Sequence, residues 1–182
     1  MDTRKIGLQR NTVSIVPYDS QWTLSFNEVK LQLQHILSVY NPDIQHVGST
    51  SVKGLDSKPI VDVAVGLENL NELDSIIVLM EEYNFQFRKD NQDRGGYLFV
   101  RSIGNEIRTH HIHILKKEGE LWDNYLFFRN SLRENDALKE KYQSLKNELA
   151  LLYPLDRGAY TEGKATFIKN VLSEKNNKSS EK

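Results

Sequence analysis

The chain contains no cysteine and only four prolines among its 182 residues. The lack of cysteine excludes disulfides, thiolate metal sites and a cysteine nucleophile. A chain of this length folds without covalent staples. Long apolar runs are missing too. Even a stretch such as Ile60–Val65, apolar apart from Asp62, falls far short of the roughly 20 residues a bilayer-spanning helix needs. Met1–Arg10 has no apolar stretch of the kind a secretory leader carries, so the expected location is the cytoplasm. There is no excess of charge of one sign: 24 Lys and Arg stand against 25 Asp and Glu, for a net charge of −1. Proteins that grip a nucleic-acid duplex carry a basic excess to neutralise phosphates, so nucleic acid is disfavoured as the main partner.

What is present suits one core. Hydrophobic residues make up 38% and charged residues 27% of the chain. No internal repeat or mid-chain linker interrupts it, which points to a single domain over residues 1–173. Residues 174–182 form a polar tail expected to be disordered. Nothing in the sequence fixes the oligomeric state.

Periodicity supplies the elements. Val13–Val16 reads as a short strand stopped by Pro17. Trp22, Phe26, Val29, Leu33, Ile36 and Leu37 recur at helical spacing, with Asp19 or Ser20 as cap, and Ile44–Val47 reads as a strand ending at Gly48. In Pro59–Leu67 two faces alternate: Val61, Val63, Val65 and Leu67 on one, Ile60, Asp62, Ala64 and Gly66 on the other. A second helix capped by Asn69 or Asn71 follows. Tyr97–Ser102 and Ile107–Leu115 pair as a hairpin, approached through a turn at Asp93-Arg94-Gly95-Gly96. From Glu120 onward the pattern is helical, with a break at Asn135, which can cap the next helix, and another at Pro154. The order predicts an α+β fold, a small mixed β-sheet with helices packed on it.

Three features carry chemistry. In His46-Val47-Gly48-Ser49-Thr50-Ser51 a strand ends in glycine and runs into consecutive hydroxyls, a sequence able to form an anion-binding concavity. An ordinary polar turn has the same composition. Asp62 interrupts an apolar strand, and a carboxylate there needs a partner or a cleft. Lys58 is one candidate partner. In the hairpin, His111 and His113 lie two apart and point to one side, while His110 points to the other. Two imidazoles and a carboxylate suit zinc, iron, nickel or manganese, and one imidazole can instead serve as a general base.

The stretch from His46 to Val63, His-Val-Gly-Ser-Thr-Ser-Val-Lys-Gly-Leu-Asp-Ser-Lys-Pro-Ile-Val-Asp-Val, resembles the signature of the GrpB (UPF0157) family. The likeness takes in Val16-Pro17-Tyr18-Asp19…Trp22, His111-Ile112-His113 and Phe128-Arg129-Asn130-Ser131-Leu132-Arg133. It also takes in Tyr142…Lys146 and Tyr160-Thr161-Glu162-Gly163-Lys164…Phe167, so that it spans about residues 13–172.

The resemblance implies a nucleotidyltransferase-like fold. In that superfamily a Gly-Ser turn lies beside nucleotide phosphates and an acid pair one strand later binds divalent metal. Gly48 and Ser49 match the turn, with Thr50 and Ser51 following, and Asp62 matches the first acid. The second acid position holds Ala64, a departure that puts a two-metal site in doubt. The expected catalytic and metal-binding residues are therefore Asp62, His111 and His113. Lys58, Arg129, Arg133, Tyr160 and Lys164 are expected to help bind a nucleotide or phosphorylated small molecule.

Three functions compete. The first is a transferase using magnesium or manganese. The second is a silent module that binds a nucleotide or a coenzyme A-related compound, a ligand class suggested by the fusion of some GrpB-like domains to dephospho-coenzyme A kinase. The third is a mononuclear His/His/Asp enzyme using zinc, iron or nickel. The chain lacks the Gly-x4-Gly-Lys-Ser/Thr sequence, so it is not itself that kinase.

Overall fold

The computed structural model describes residues 6–89, 96–104 and 106–179. Strand β1 covers Leu8–Gln9 and helix α1 Gln21–Ile36; β2 covers Asp43–Val47 and β3 Val61–Leu67. Helix α2 (Leu73–Glu82) leads into β4 (Gln86–Arg88), and β5 (Tyr97–Ile103) into β6 (Ile107–Lys116). Four helices close the chain: α3 (Glu120–Glu134), α4 (Asp136–Leu152), α5 (Arg157–Gly163) and α6 (Ala165–Ser179). The sheet order is β2-β3-β6-β5-β4, with β1 pairing the start of β6. Only β3 and β6 run parallel; the other pairs are antiparallel, so the sheet is mixed.

The alternation in β3 sorts the layers. Val61, Val63, Val65 and Leu67 join Trp22, Phe26, Val29 and Leu33 of α1 and Ile76 and Met80 of α2 in the main core. Regular spacing gives α1 one apolar stripe, and that stripe covers this face of the sheet. Asp62, Ala64 and Gly66 point the other way. There Ala64 packs with Val47, Leu115 and Trp122. A Cβ on Gly66 would come within 2.9 Å of the Trp122 ring, so the small residues of this face let α3 lie close to the sheet. Helices α3 to α6 pack against one another on that side.

Asn135 caps α4 as its sequence predicts, its side chain accepting from the Leu138 amide at 2.9 Å. Asn135→Ala should lower stability by about 1 kcal/mol, read as a lower urea midpoint at unchanged slope.

Several expectations change. Val13–Val16 is not a strand; only Val16 forms an isolated bridge, to Ser57, because the segment lies outside the sheet. The expected disordered tail is helical up to Ser179, since α6 runs on through polar residues; residues 180–182 lie outside the described part. The helix α2 begins at Leu73 with Glu72 at the cap position, while Asn69 instead accepts from the Asn71 amide. Asp93, Arg94 and Gly95 of the expected turn, and Asn105 of the hairpin loop, are also outside the described residues.

Candidate functional site

The site is assembled by register. Antiparallel pairing of β2 and β3 sets Val47 opposite Asp62, so Gly48 leaves the sheet directly beside that carboxylate. Gly48 has φ +68°, and a Cβ there would come within 2.5 Å of Asp62 Oδ2. Both the conformation and the approach require glycine. One turn of 3-10 helix follows over Ser49–Ser51. Below it, His46 stacks on Phe26 at 4.7 Å between centroids, and its Nε2 lies 3.1 Å from the Thr50 hydroxyl. Burial pushes the His46 imidazole down to about 4, helped by Arg133 and Arg129 and opposed by Asp62. It is a neutral strut under the turn.

Parallel pairing of β3 and β6 sets Asp62 opposite His111 and Ala64 opposite His113. Asp62 Oδ1 lies 3.0 Å from His111 Nδ1 and 3.6 Å from His113 Nε2. His111 Nε2 in turn lies 3.0 Å from a guanidinium nitrogen of Arg157. A guanidinium only donates, so His111 Nε2 accepts and the proton sits on Nδ1, directed at Asp62. Burial holds His111 down at about 4, against the pull of Asp62 and with the push of Arg157, consistent with a neutral ring. Burial alone would raise Asp62; hydrogen bonds from His111 and His113 outweigh it and keep the carboxyl well below the usual range. On the far side His113 Nδ1 lies 3.2 Å from the Tyr125 hydroxyl. Tyr125, His113, Asp62, His111 and Arg157 thus form one chain of polar contacts across the sheet and into α3 and α5.

A cleft of about 830 Å³ opens over this chain, between the sheet and α3 to α6. Gly48, Ser49, Thr50, Asp62, His111 and His113 line it. Lys58, Tyr160 and Lys164 do so as well. The Lys58 and Lys164 ammonium groups lie 4.8 and 4.5 Å from the centroid of the same Tyr160 ring. Lys146, 1% exposed, donates to the Asp56 carbonyl and stands 5.2 Å from the Tyr142 ring centroid. Burial pushes Lys58 down to about 7, aided by Lys164 and Arg157 and opposed by Asp62. It pushes Lys146 down to about 7, aided by Lys164 and Lys58 and opposed by Asp56. Lys164 falls to about 8 through burial, with Asp62 opposing and Arg157 adding to the shift. Among the described residues the lining holds four arginines and three lysines against the carboxylates of Asp62 and Glu162.

The sequence profile of the family described as "GrpB protein" matches residues 12–174. This chain belongs to the GrpB family. It is 31% identical over 172 residues to glutamate-rich protein GrpB of Alkalihalophilus pseudofirmus, covering 93% of this chain and 99% of that protein. A UPF0157 protein of Pseudomonas aeruginosa is 32% identical, over 88% of this chain and 66% of its own length. The crystal structure of GrpB from Enterococcus faecalis superposes with a TM-score of 0.79 at 31% identity, over 88% of this chain and 96% of that one. The Cid1 poly(U) polymerase, in a crystal form with MgGTP bound, superposes with a TM-score of 0.52 at 15% identity, over 75% of this chain and 44% of the polymerase. That likeness shows the fold: this GrpB protein has a nucleotidyltransferase-like fold. No helix among its described residues is long and apolar enough to cross a membrane.

Three residues expected at the ligand are engaged elsewhere in this GrpB protein. Arg129 donates to the Gln45 side chain and to the His46 carbonyl, both at 3.1 Å. Arg133 donates twice to the Ser51 carbonyl, at 3.2 and 2.7 Å. The two arginines share a face of α3, but that face backs onto the Gly-Ser turn, so they brace it from behind and are not among the residues lining the cleft. The Ser51 hydroxyl donates to the Gly48 carbonyl at 2.6 Å and closes the same turn. Tyr125 and Arg157 belong to the site and were not singled out from sequence, and Lys146 entered only through the family likeness, with no site role. Lys146 had a readable signal, a cation on the apolar stripe of Tyr142, Leu145 and Leu149. Arg157 had none.

The donors do not fit a resident metal in this arrangement. His111 has no lone pair to offer, since Nδ1 carries its proton and Nε2 accepts from Arg157. Ala64 supplies no second acid. Among the described residues no group of three or more His, Asp or Glu side chains is placed to hold an ion.

Proposed function

We propose that this GrpB protein binds a nucleotide or a related phosphorylated small molecule in the cleft above Asp62, with its phosphates at Ser49 and the lysines. One observation carries the reading: the Gly48–Ser49 turn is packed against Asp62 at the edge of a large, strongly basic cleft. The nucleotidyltransferase-like fold supports it, because the polymerase of that fold was crystallised with MgGTP. A cleft of this size, lined by lysines and arginines and also by Leu121, Phe128 and Leu172, accommodates a phosphate chain together with a base or other apolar group. No resident metal is required; a divalent ion arriving with the phosphates would meet the protein at Asp62.

A second reading, a binding module without turnover, is favoured by Ala64 at the second acid position and by the engagement of both His111 nitrogens. Thermal melts with the common nucleoside triphosphates and coenzyme A, each with and without manganese, test the binding claim. A ligand at about 100 times its Kd should add about 2.7 kcal/mol to stability. Unchanged melting temperatures for all of them would refute it. Release of pyrophosphate from a bound triphosphate would decide for the transferase over the silent module.

A further inference from the structure

We infer that Lys58, Lys146, Lys164 and Arg157 do the work of a metal pair in this cleft, forming a seat for a polyphosphate chain that holds it without any divalent ion. The inference rests on the proposed binding of a phosphorylated ligand and specifies how the phosphates are neutralised.

The argument starts from what faces Asp62. The neighbouring position on its face, Ala64, is fully buried under Trp122 and Leu115, so that wall is apolar and offers no second carboxylate. Asp62 itself is committed to two imidazoles. Opposite stand four cations from three separate parts of the fold: the loop before β3, helix α4, and α5 with the residue that follows it. Two of the ammonium groups share the Tyr160 ring, and the guanidinium reaches His111. Lys146 forms the floor. It stands over Tyr142, and Tyr142 and Ser49 line the same cleft, so the floor lies alongside the Gly-Ser turn.

Like charges drawn together and largely removed from water repel and are poorly hydrated, and Lys58, Lys146 and Lys164 each carry the mark of that in a depressed pKa. Folding positions them at a cost that the nearby carboxylates do not offset, since all three lysines remain depressed. Such a cluster is complementary to a flexible polyanion. The guanidinium can meet two phosphate oxygens at once, and each ammonium can meet one. A bare divalent cation would be repelled by the same groups.

The probe is inorganic tripolyphosphate, titrated calorimetrically into the full chain in EDTA. Saturable binding is expected without metal and tighter than sulfate at equal ionic strength. Lys164→Gln and Lys58→Gln should each weaken it at least tenfold. Lys139→Gln, on α4 outside the cleft lining, where Lys139 pairs with the exposed Asp136, should leave it unchanged. Circular dichroism of each variant guards against misfolding. Binding that appears only after magnesium or manganese is added overturns the inference and leaves the proposed function standing. Metal-free binding that survives both cleft substitutions unchanged, or is no tighter than sulfate, also overturns it. Failure of tripolyphosphate and of every nucleotide, with and without metal, removes both.

Discussion

Gly48→Val should abolish ligand binding and cost about 3–5 kcal/mol of stability, the sum of a β-branched residue at positive φ and of overpacking against a fixed neighbour. The backbone at Gly48 has φ +68°, a region β-branched residues avoid. The new Cβ would also fall within 2.5 Å of Asp62 Oδ2 and 2.9 Å of Asp62 Cβ. Neither can yield easily. Asp62 is tied to His111 and His113, and the turn is closed by Ser51 and braced by Arg133. The chain must either move the turn outward, opening the contact with the carboxylate, or break the Asp62–His111 bond. Both routes undo the site, so the stability loss and the binding loss should appear together. Gly54 supplies the control. It also has positive φ, but a Cβ there meets nothing within 4 Å, so Gly54→Ala should cost only the backbone strain and leave binding intact. Chemical denaturation and ligand titration of both variants separate the two effects. A Gly48→Val protein that melts and binds like the parent would show that the turn does not depend on its approach to Asp62.

That Gly48, Asp62, His111 and His113 belong together was legible because each is fixed by short-range rules. Alternation in β3 assigns Asp62 to the face away from the main core. Alternation in the hairpin assigns His111 and His113 to one face of β6. Adjacency of the two strands is what the fold family implies, and their parallel pairing, which the structure supplies, then makes them neighbours. The residues given no site role from sequence, Tyr125, Lys146 and Arg157, come from α3, α4 and α5, which follow the sheet in the chain and reach the cleft only by packing back on it. Arg157 sits on a seven-residue helix with no periodic pattern, and nothing local connects it with His111, 46 positions earlier. Arg129 and Arg133 show the opposite failure. Their spacing correctly gave a shared helix face, but spacing along a helix does not say what that face meets. Here it meets the His46 and Ser51 carbonyls. The two arginines thus hold the shape of the turn, while the cations that line the cleft include the lysines and Arg157.

The lysines also set how stability should depend on pH. In the unliganded protein Lys58 and Lys146 titrate near 7 and Lys164 near 8, against 10.5 for an unperturbed lysine. Between those values the unfolded chain binds more protons than the folded one, so stability rises with pH. The destabilisation is complete below about 7 and is relieved as pH climbs from 7 toward 10.5. Lys146 isolates the effect, because it is 1% exposed and little screened by solvent. Lys146→Met keeps most of the buried stem and removes the charge. At pH 6 it should be more stable than the parent by on the order of 2–4 kcal/mol, the linkage energy reduced by loss of the bond to the Asp56 carbonyl. At pH 10 the gain should have vanished. A bound polyphosphate reverses the logic, since it holds the lysines charged. The melting-temperature increment from tripolyphosphate should therefore be largest near pH 6 and shrink as pH rises through 8, and it should be small in Lys146→Met at every pH. Melting curves of the two proteins across pH 6 to 10, with and without tripolyphosphate, measure all of this in one series. A parent whose stability falls from pH 7 to 9 in step with Lys146→Met would mean that Lys146 carries no depressed titration.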